Sequence, residues 1–397
     1  MRPLGIVPDE MCCGCAACAN VCPQKCITLN SDSKGFIYPY VEMDKCIRCK
    51  RCESVCPVLN NRKCSSLKPL HVYAAKNPDE GIRMKSSSGG IFTMLAEKVI
   101  EKGGVVFGAR FDENWNVVHD YTESLAGIGL FRGSKYVQSR IGDCFRKAKQ
   151  FLDDDREVLF SGTPCQVAGL RQFLHRPYAN LYCVEVVCHG VPSPLVFRHY
   201  ISSLEKKHNG TVCRLKFRDK SNGWKAYEIV VEFDNGKIYR SRGRDNAFIK
   251  GFIGNLFLRQ SCTKCVFKSF KSGADITLGD FWGSEKFGQE YNDDKGISLV
   301  CINSNNGLRF FDLIKSDVIG LIESSLVDAI TYNLCLVESV KMHRKEHKFY
   351  RSYTGKEFDV IVSRLLHNSR FWMLLNEIIP YYYGIIIGKV KIMLCRR

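Results

Sequence analysis

The chain has no continuous apolar stretch ahead of its first cysteines. It opens MRPLGIVPDEMCCGC, so a secretory leader is not expected. No strand-like run is followed by G-x-G-x-x-G, which removes the usual support for a Rossmann dinucleotide site. The spacing C-x3-C-x2-C is absent as well, which speaks against radical chemistry on S-adenosylmethionine. Acidic residues are scarce relative to basic ones, 41 against 58, for a formal net charge of +17. That imbalance points to an acidic partner: nucleic acid, an anionic membrane surface, a polyanionic cofactor or an acidic electron carrier. No nucleic-acid recognition motif accompanies the charge, so no nucleic-acid partner is expected. An uninterrupted membrane span, which needs about twenty apolar residues, is also lacking. The apolar stretch Phe371 to Leu394, before Arg396-Arg397, is interrupted by Asn376, Glu377, Lys389 and Lys391 and would be broken at Pro380 and Gly384. It reads either as packing on the protein or as a basic, aromatic-rich interfacial anchor giving peripheral membrane contact.

What the chain has in excess is cysteine, 21 among 397 residues. Cys12, Cys15, Cys18 and Cys22-Pro23 form one block; Cys46, Cys49, Cys52 and Cys56-Pro57 form another. Both read C-x2-C-x2-C-x3-C-P, the spacing by which bacterial ferredoxins hold two 4Fe-4S clusters, the last cysteine of each run serving the other cluster. A cuboidal cluster needs four converging thiolates, and a tight loop with a cysteine at every third residue supplies only three. One cluster is therefore expected on Cys12, Cys15, Cys18 and Cys56, and the other on Cys46, Cys49, Cys52 and Cys22. Small residues between the ligands, Gly14, Ala16, Ala17 and Ala19, leave room for amides to face the sulfurs. Structural zinc prefers two ligand pairs separated by a longer loop, and disulfides would set such close cysteines competing. Oxygen-sensitive thiolate sites imply a reducing cytoplasm. Cys13, Cys26 and Cys64 lie off this ruler and read as free thiols.

A polar, basic linker is expected from Asn60 to Pro69, between a cluster module at 1–64 and a mixed α/β region from residue 71. Strands are expected at 71–75, 105–111, 117–121, 158–160, 181–187, 211–217, 227–239, 274–279 and 297–302, with helical patterns between them and a mostly helical remainder. Four later cysteines, Cys165, Cys188, Cys262 and Cys265, fall at strand or helix ends, where α/β proteins gather ligands. They could hold a third cluster or be small buried hydrophobes, and Cys262-Cys265 could be half of a zinc site. Ser86 to Gly90 opens a helix with free amides that could bind phosphate or could merely cap it, and Gly162-Thr163 is a second entrance of that kind. His189 could protonate a substrate, adjust a potential or be structural. The basic run 341–348, with His343 and His347, is a solvated face or a docking surface.

Taken together, Ser88-Gly89-Gly90-Ile91-Phe92-Thr93, Lys135-Tyr136-Val137-Gln138-Ser139, Ser161 to Leu170 with its Gly-Thr-Pro-Cys-Gln core, Cys188, Cys262-Thr263-Lys264-Cys265 and Ala274 to Gly283 resemble the beta-subunit family of coenzyme F420-reducing hydrogenases and dehydrogenases, up to about residue 355. The resemblance implies a flavoprotein in which FAD lies beside a 4Fe-4S cluster held by Cys165, Cys188, Cys262 and Cys265. It implies flavin contacts around Ser88, Gly89, Gly90, Gln138, Gly162, Thr163 and Gln166. The fused two-cluster module also resembles relatives that reduce a dedicated substrate, some encoded with polysaccharide biosynthesis enzymes, so coenzyme F420 is one possible acceptor among others.

The expected architecture is α+β or mixed α/β. It comprises the ferredoxin-like domain at 1–64, a flavin-binding region at 71–160, a region with the core cluster at 161–355 and an apolar, basic tail at 356–397. The leading expectation is an iron-sulfur flavoenzyme fed by ferredoxin or a similar acidic donor, since clusters move one electron whereas most organic reductions need two. The other readings are a non-catalytic relay feeding a partner redox subunit and an oxygen-sensing scaffold, for which no effector motif is found.

Overall fold

The computed structural model describes residues 7–60, 68–291, 293–353 and 357–366. Most of the 60–69 linker, Cys64 and the tail beyond residue 366 lie outside the described residues.

The N-terminal module folds around an antiparallel hairpin, β1 (Ile27–Ser31) and β2 (Ile37–Val41), between two cysteine loops. Each loop runs into a short helix, Ala17–Val21 or Arg51–Ser54. The loops repeat one backbone trace. Gly14 and Ala16 have φ of 69° and 65°, and Arg48 and Lys50, at matching offsets from Cys12 and Cys46, have 54° and 57°. Left-handed backbone is costly for residues with a Cβ, so its recurrence at three non-glycine positions marks loops that wrap something.

The rest of the chain is built on an eight-stranded mixed sheet. Its strands are β3 (His71–Lys76), β4 (Val105–Phe111), β5 (Val117–Thr122), β6 (Val158–Gly162), β7 (Leu181–Val186), β11 (Ile276–Asp280), β12 (Ser298–Ile302) and β13 (Ile319–Glu323). A separate three-stranded sheet holds β8 (Val212–Asp219), β9 (Glu228–Phe233) and β10 (Ile238–Arg242), with an Asp234-Asn235-Gly236 turn splitting the 227–239 segment into the last two. The order in the large sheet is β13-β3-β12-β11-β7-β6-β4-β5. β4, β6, β7 and β11 pair in parallel, and the remaining pairings are antiparallel. Central strands such as β6 are apolar on both faces because helices cover both, whereas β10 alternates exposed and half-buried positions as a half-solvated edge does. Strands from either side of residue 160 share this sheet.

The described chain after residue 302 is mostly helical, as expected, with the addition of β13 as an outer strand beside β3. Its half-exposed pattern and register shift lack the alternation that identifies buried strands.

The module keeps a small core of its own around Cys26, Ile27 and Val41, and shares the rest with the large domain. Cys15, Ala16, Ala17 and Val55 are buried in the same apolar cluster as Phe107, Phe145, Phe160 and Leu170 of the large domain. Asn20 is buried and donates to the Ala16 and Gly142 carbonyls at 3.1 and 2.9 Å, and Ser193 Oγ donates to the Lys34 carbonyl at 2.5 Å. Gly35, with φ of 86°, presses so closely on Leu195 that a Cβ would lie 2.2 Å from that side chain.

Candidate metal centres

The first loop lines an open cavity of about 390 Å³ with Cys12, Cys13, Cys15 and Cys18, and Cys56 reaches it from the second block. Backbone N–H groups of Ala17 and Ala19 bond the sulfurs of Cys15 and Cys18, and those of Val58 and Leu59 bond Cys56. These donors favour thiolate against burial, which pushes the Cys18 and Cys56 thiols up. Cys22, Cys46 and Cys52 pack around buried Cys26, whose sulfur lies 3.4 Å from that of Cys22. Cys49 is exposed, with Ile47, Arg48 and Lys50 around it. Cys26, read as a bystander, is thus the apolar floor of the second group, and burial raises its thiol to about 12.

The later cysteines converge through sheet topology. β6 and β7 are parallel neighbours, so their carboxyl ends deliver Cys165 and Cys188 to one edge. Cys165 sits at the start of the helix Pro164–Leu174, where a capping box of Thr163 and Gln166 holds the first turn. A bridge between Pro192 and Leu258, with Arg259 N–H donating to the Val191 carbonyl at 3.0 Å, brings the turn carrying Cys262 and Cys265 alongside. All four line an open cavity of about 590 Å³. Burial pushes the Cys188 thiol far up and that of Cys262 to about 12; at Cys165 a hydrogen bond with Cys13 raises it first and burial second. Arg259 opposes this at Cys165 and Cys262, and Lys268 opposes it at Cys188 and Cys265. Lys268 also donates to the carbonyls of Cys188 and Cys335, both at 2.5 Å.

The two cavities adjoin. Cys13 lines both and contacts Cys15 on one side and Cys165 on the other. One turn beyond Cys165, Gly169 receives the first loop, and a Cβ there would lie 2.9 Å from Cys15 Cβ and 3.0 Å from its sulfur. No sequence pattern marked Cys13 or Gly169 as a junction, although Gly169 lies within the Ser161 to Leu170 segment. Among the described residues no three His, Cys, Asp or Glu side chains gather closely enough to hold one metal ion. The donor set, all thiols with cationic side chains nearby, fits an iron-sulfur cluster.

The residues nominated for flavin contact are placed less uniformly. Ser88 Oγ donates to the Ile297 and Gly279 carbonyls at 2.6 and 3.2 Å, and the Gly89 N–H donates to Ser298 Oγ at 3.0 Å. Gly90, with φ of 84°, precedes the helix Ile91–Glu101. Gln138 faces the ferredoxin-like module, its Oε1 accepting from the Ile37 N–H at 3.3 Å and Arg259 at 3.2 Å. Gly162 lies against Gln166 and His119, and Gln166 donates to Ser139 at 2.8 Å. Thus Gln138 and Gln166 serve the framework in this structure, whereas Ser87 and Ser134, 2.7 Å apart, tie the Ser86–Gly90 segment to the residue just before Lys135–Ser139. Beside them Arg218 is buried, with Nε and Nη2 unpartnered among the described residues. It donates to Asp280 at 3.0 Å and Tyr136 at 3.3 Å, and lies 4.3 Å from the Tyr227 ring centre. Trp224 and Trp282 stack at 4.3 Å next to it. These unmet donors suit the carbonyl edge of a flavin ring or another polar acceptor. His189 is tied to Asn255 at 2.7 Å and set edge-on to Phe252, and burial lowers its pKa. No helix among the described residues is long and apolar enough to cross a membrane.

Comparison with known proteins agrees with this organisation. Residues 155–325 match the family described as the C-terminal part of the beta subunit of coenzyme F420 hydrogenase/dehydrogenase, and residues 11–60 match the 4Fe-4S dicluster domain. A coenzyme F420-dependent sulfite reductase of Methanocaldococcus jannaschii is 27% identical over 219 residues, 54% of this chain and 32% of that protein. The chain therefore spans about a third of that relative's length. An F420H2 dehydrogenase subunit of Methanosarcina mazei is 22% identical over 326 residues, 79% of this chain and 85% of that protein. A chain of the F420-reducing [NiFe] hydrogenase complex from Methanosarcina barkeri superposes with a TM-score of 0.45 at 16% identity, covering 77% of this chain and 94% of that one. With its cysteine blocks and these family matches, the chain carries, at residues 155–325, the C-terminal part of the coenzyme F420 hydrogenase/dehydrogenase beta-subunit family and, at residues 11–60, a 4Fe-4S dicluster domain.

Proposed function

We propose that this protein is an iron-sulfur flavoprotein oxidoreductase that accepts single electrons from ferredoxin or a similar acidic donor and delivers them to an organic acceptor. The clusters would supply one-electron transfer and FAD the pairing of electrons. Cys12, Cys15, Cys18 and Cys56 would hold one cluster, Cys22, Cys46, Cys49 and Cys52 a second, and Cys165, Cys188, Cys262 and Cys265 a third. The observation that carries this reading is that the first and third thiol groups line adjoining cavities with Cys13 between them. Ala17, Ala19, Val58 and Leu59 amides hold the sulfurs, Gly169 lets the two loops approach, and Lys268 and Arg259 offset thiolate charge. Such thiolate sites suit a reducing cytoplasm.

Iron and sulfide counting after anaerobic reconstitution should give about twelve irons per chain, and denaturation should release FAD. About eight irons would remove the third site, and a colourless supernatant would remove the flavin.

A second reading is a relay component without its own substrate, favoured by the M. mazei relative being named as one part of a dehydrogenase. With an artificial donor the isolated chain would then reduce dyes but no metabolite. Coenzyme F420 as acceptor, suggested by the relatives' names, is tested directly in the same assay.

A further inference from the structure

Arg259 lies where the two adjoining cavities meet. Its side chain has no exposed surface. Nε donates to the Cys12 carbonyl at 2.8 Å, Nη1 donates to Gln138 Oε1 at 3.2 Å, and the guanidinium carbon is 4.1 Å from the Tyr38 ring centre. Gly14 approaches so closely that a Cβ there would stand 3.2 Å from that carbon. On its other side the residue lines the cavity of Cys165, Cys188, Cys262 and Cys265. The partners of its hydrogen bonds are neutral, and Nη2 has none among the described residues. A guanidinium remains charged at any working pH, and burying it without an anion is expensive. Four thiolates on a cluster carry net negative charge, and one more negative charge arrives with each electron. The missing counter-charge is thus present on both sides once the cysteines are loaded.

We propose that Arg259 is a counter-charge shared by two clusters, a positioning residue that raises the reduction potentials of the Cys12–Cys15–Cys18–Cys56 and Cys165–Cys188–Cys262–Cys265 centres and leaves the Cys22–Cys46–Cys49–Cys52 centre unaffected. It favours electron residence on the inner pair. The physical basis is Coulombic: a fixed cation in a low-dielectric seam stabilises the reduced form of whatever cluster it faces. The outer centre packs on Cys26 and Met43 and serves as an internal control. This inference rests on the three-centre reading above.

The test is an anaerobic redox titration of the reconstituted full chain, followed by electron paramagnetic resonance, for wild type, Arg259→Gln and Arg259→Lys. In Arg259→Gln the reduced-to-oxidised ratio of two centres at a fixed potential should fall at least tenfold, a shift of 59 mV for one electron. The third centre should stay within a factor of two, and Arg259→Lys should recover most of the loss. Unchanged potentials, or an equal shift of all three centres, would overturn the role of Arg259. Loss of iron from Arg259→Gln with the remaining centres at wild-type potentials would also overturn it, because the residue would then be purely structural. Should Arg259→Gln fail to fold, Arg259→Lys decides: iron content and potentials near wild type support the charge, and loss of either rejects it. Wild-type iron at about eight per chain would instead refute the three-centre reading itself.

Discussion

At the scale of single residues, the clearest consequences come from buried polar groups. His119 is enclosed between strands, accepting from Ser139 at Nδ1 (2.9 Å) and donating from Nε2 to the Ser161 carbonyl (3.0 Å). Burial lowers its pKa to about 4. Because the folded value lies below the unfolded one, the unfolded chain binds the extra proton, and stability present above about pH 6.5 is lost as pH falls toward 4. Between pH 7 and pH 5 the expected loss is roughly 2 kcal/mol. Urea unfolding of wild type and His119→Gln at both pH values checks this: the variant should lose less on acidification. Arg218 offers a second case. Its pairing with Asp280 is buried, so Arg218→Met leaves that carboxylate, among the side-chain donors of the described residues, with the Trp224 indole N–H at 3.3 Å. A cost of about 3–5 kcal/mol is expected in the same measurement, and a cost below about 1 kcal/mol would contradict the pairing.

At the scale of elements, the helix Pro164–Leu174 joins the two halves of the proposed wire. Cys165 and Gly169 are one helical turn apart and therefore share a face. Gly169→Leu would put a branched side chain where Cys15 already sits, an overpacking cost of roughly 1–3 kcal/mol, seen as a lower urea midpoint. The paired left-handed positions make a complementary point. The first loop uses Gly14 and Ala16 because it is pressed against the core, whereas the second carries Arg48 and Lys50 at the same backbone angles because it faces solvent. The two identical cysteine rulers thus acquire different surroundings from their different neighbours.

At the scale of the whole molecule, the net charge of +17 becomes meaningful beside an outer cysteine loop rimmed by Arg48, Lys50 and Arg51. Reduction of the reconstituted protein by an acidic ferredoxin should slow by at least about tenfold between roughly 0.05 and 0.5 M salt, measured by stopped-flow bleaching, while reduction by a neutral small reductant should hardly change. Equal salt dependence for both donors would argue against charge-steered docking. Ligand spacing in the first 60 residues, most strand positions and the Gly-Thr-Pro-Cys segment were legible without coordinates, because each is a local pattern of period, turn chemistry or fixed ligand offset. The outer strand β13 was not, since its pairing with β3 depends on a partner more than 240 residues away. Cys13 and Arg259 likewise became interpretable only when long-range packing placed one module against the other. The sequence by itself determined where thiols recur at cluster spacing, for thiol chemistry and spacing are written into the chain. Only the tertiary structure decided which thiol groups are neighbours and which cation is confined between them, because burial and convergence arise from contacts that no local pattern encodes.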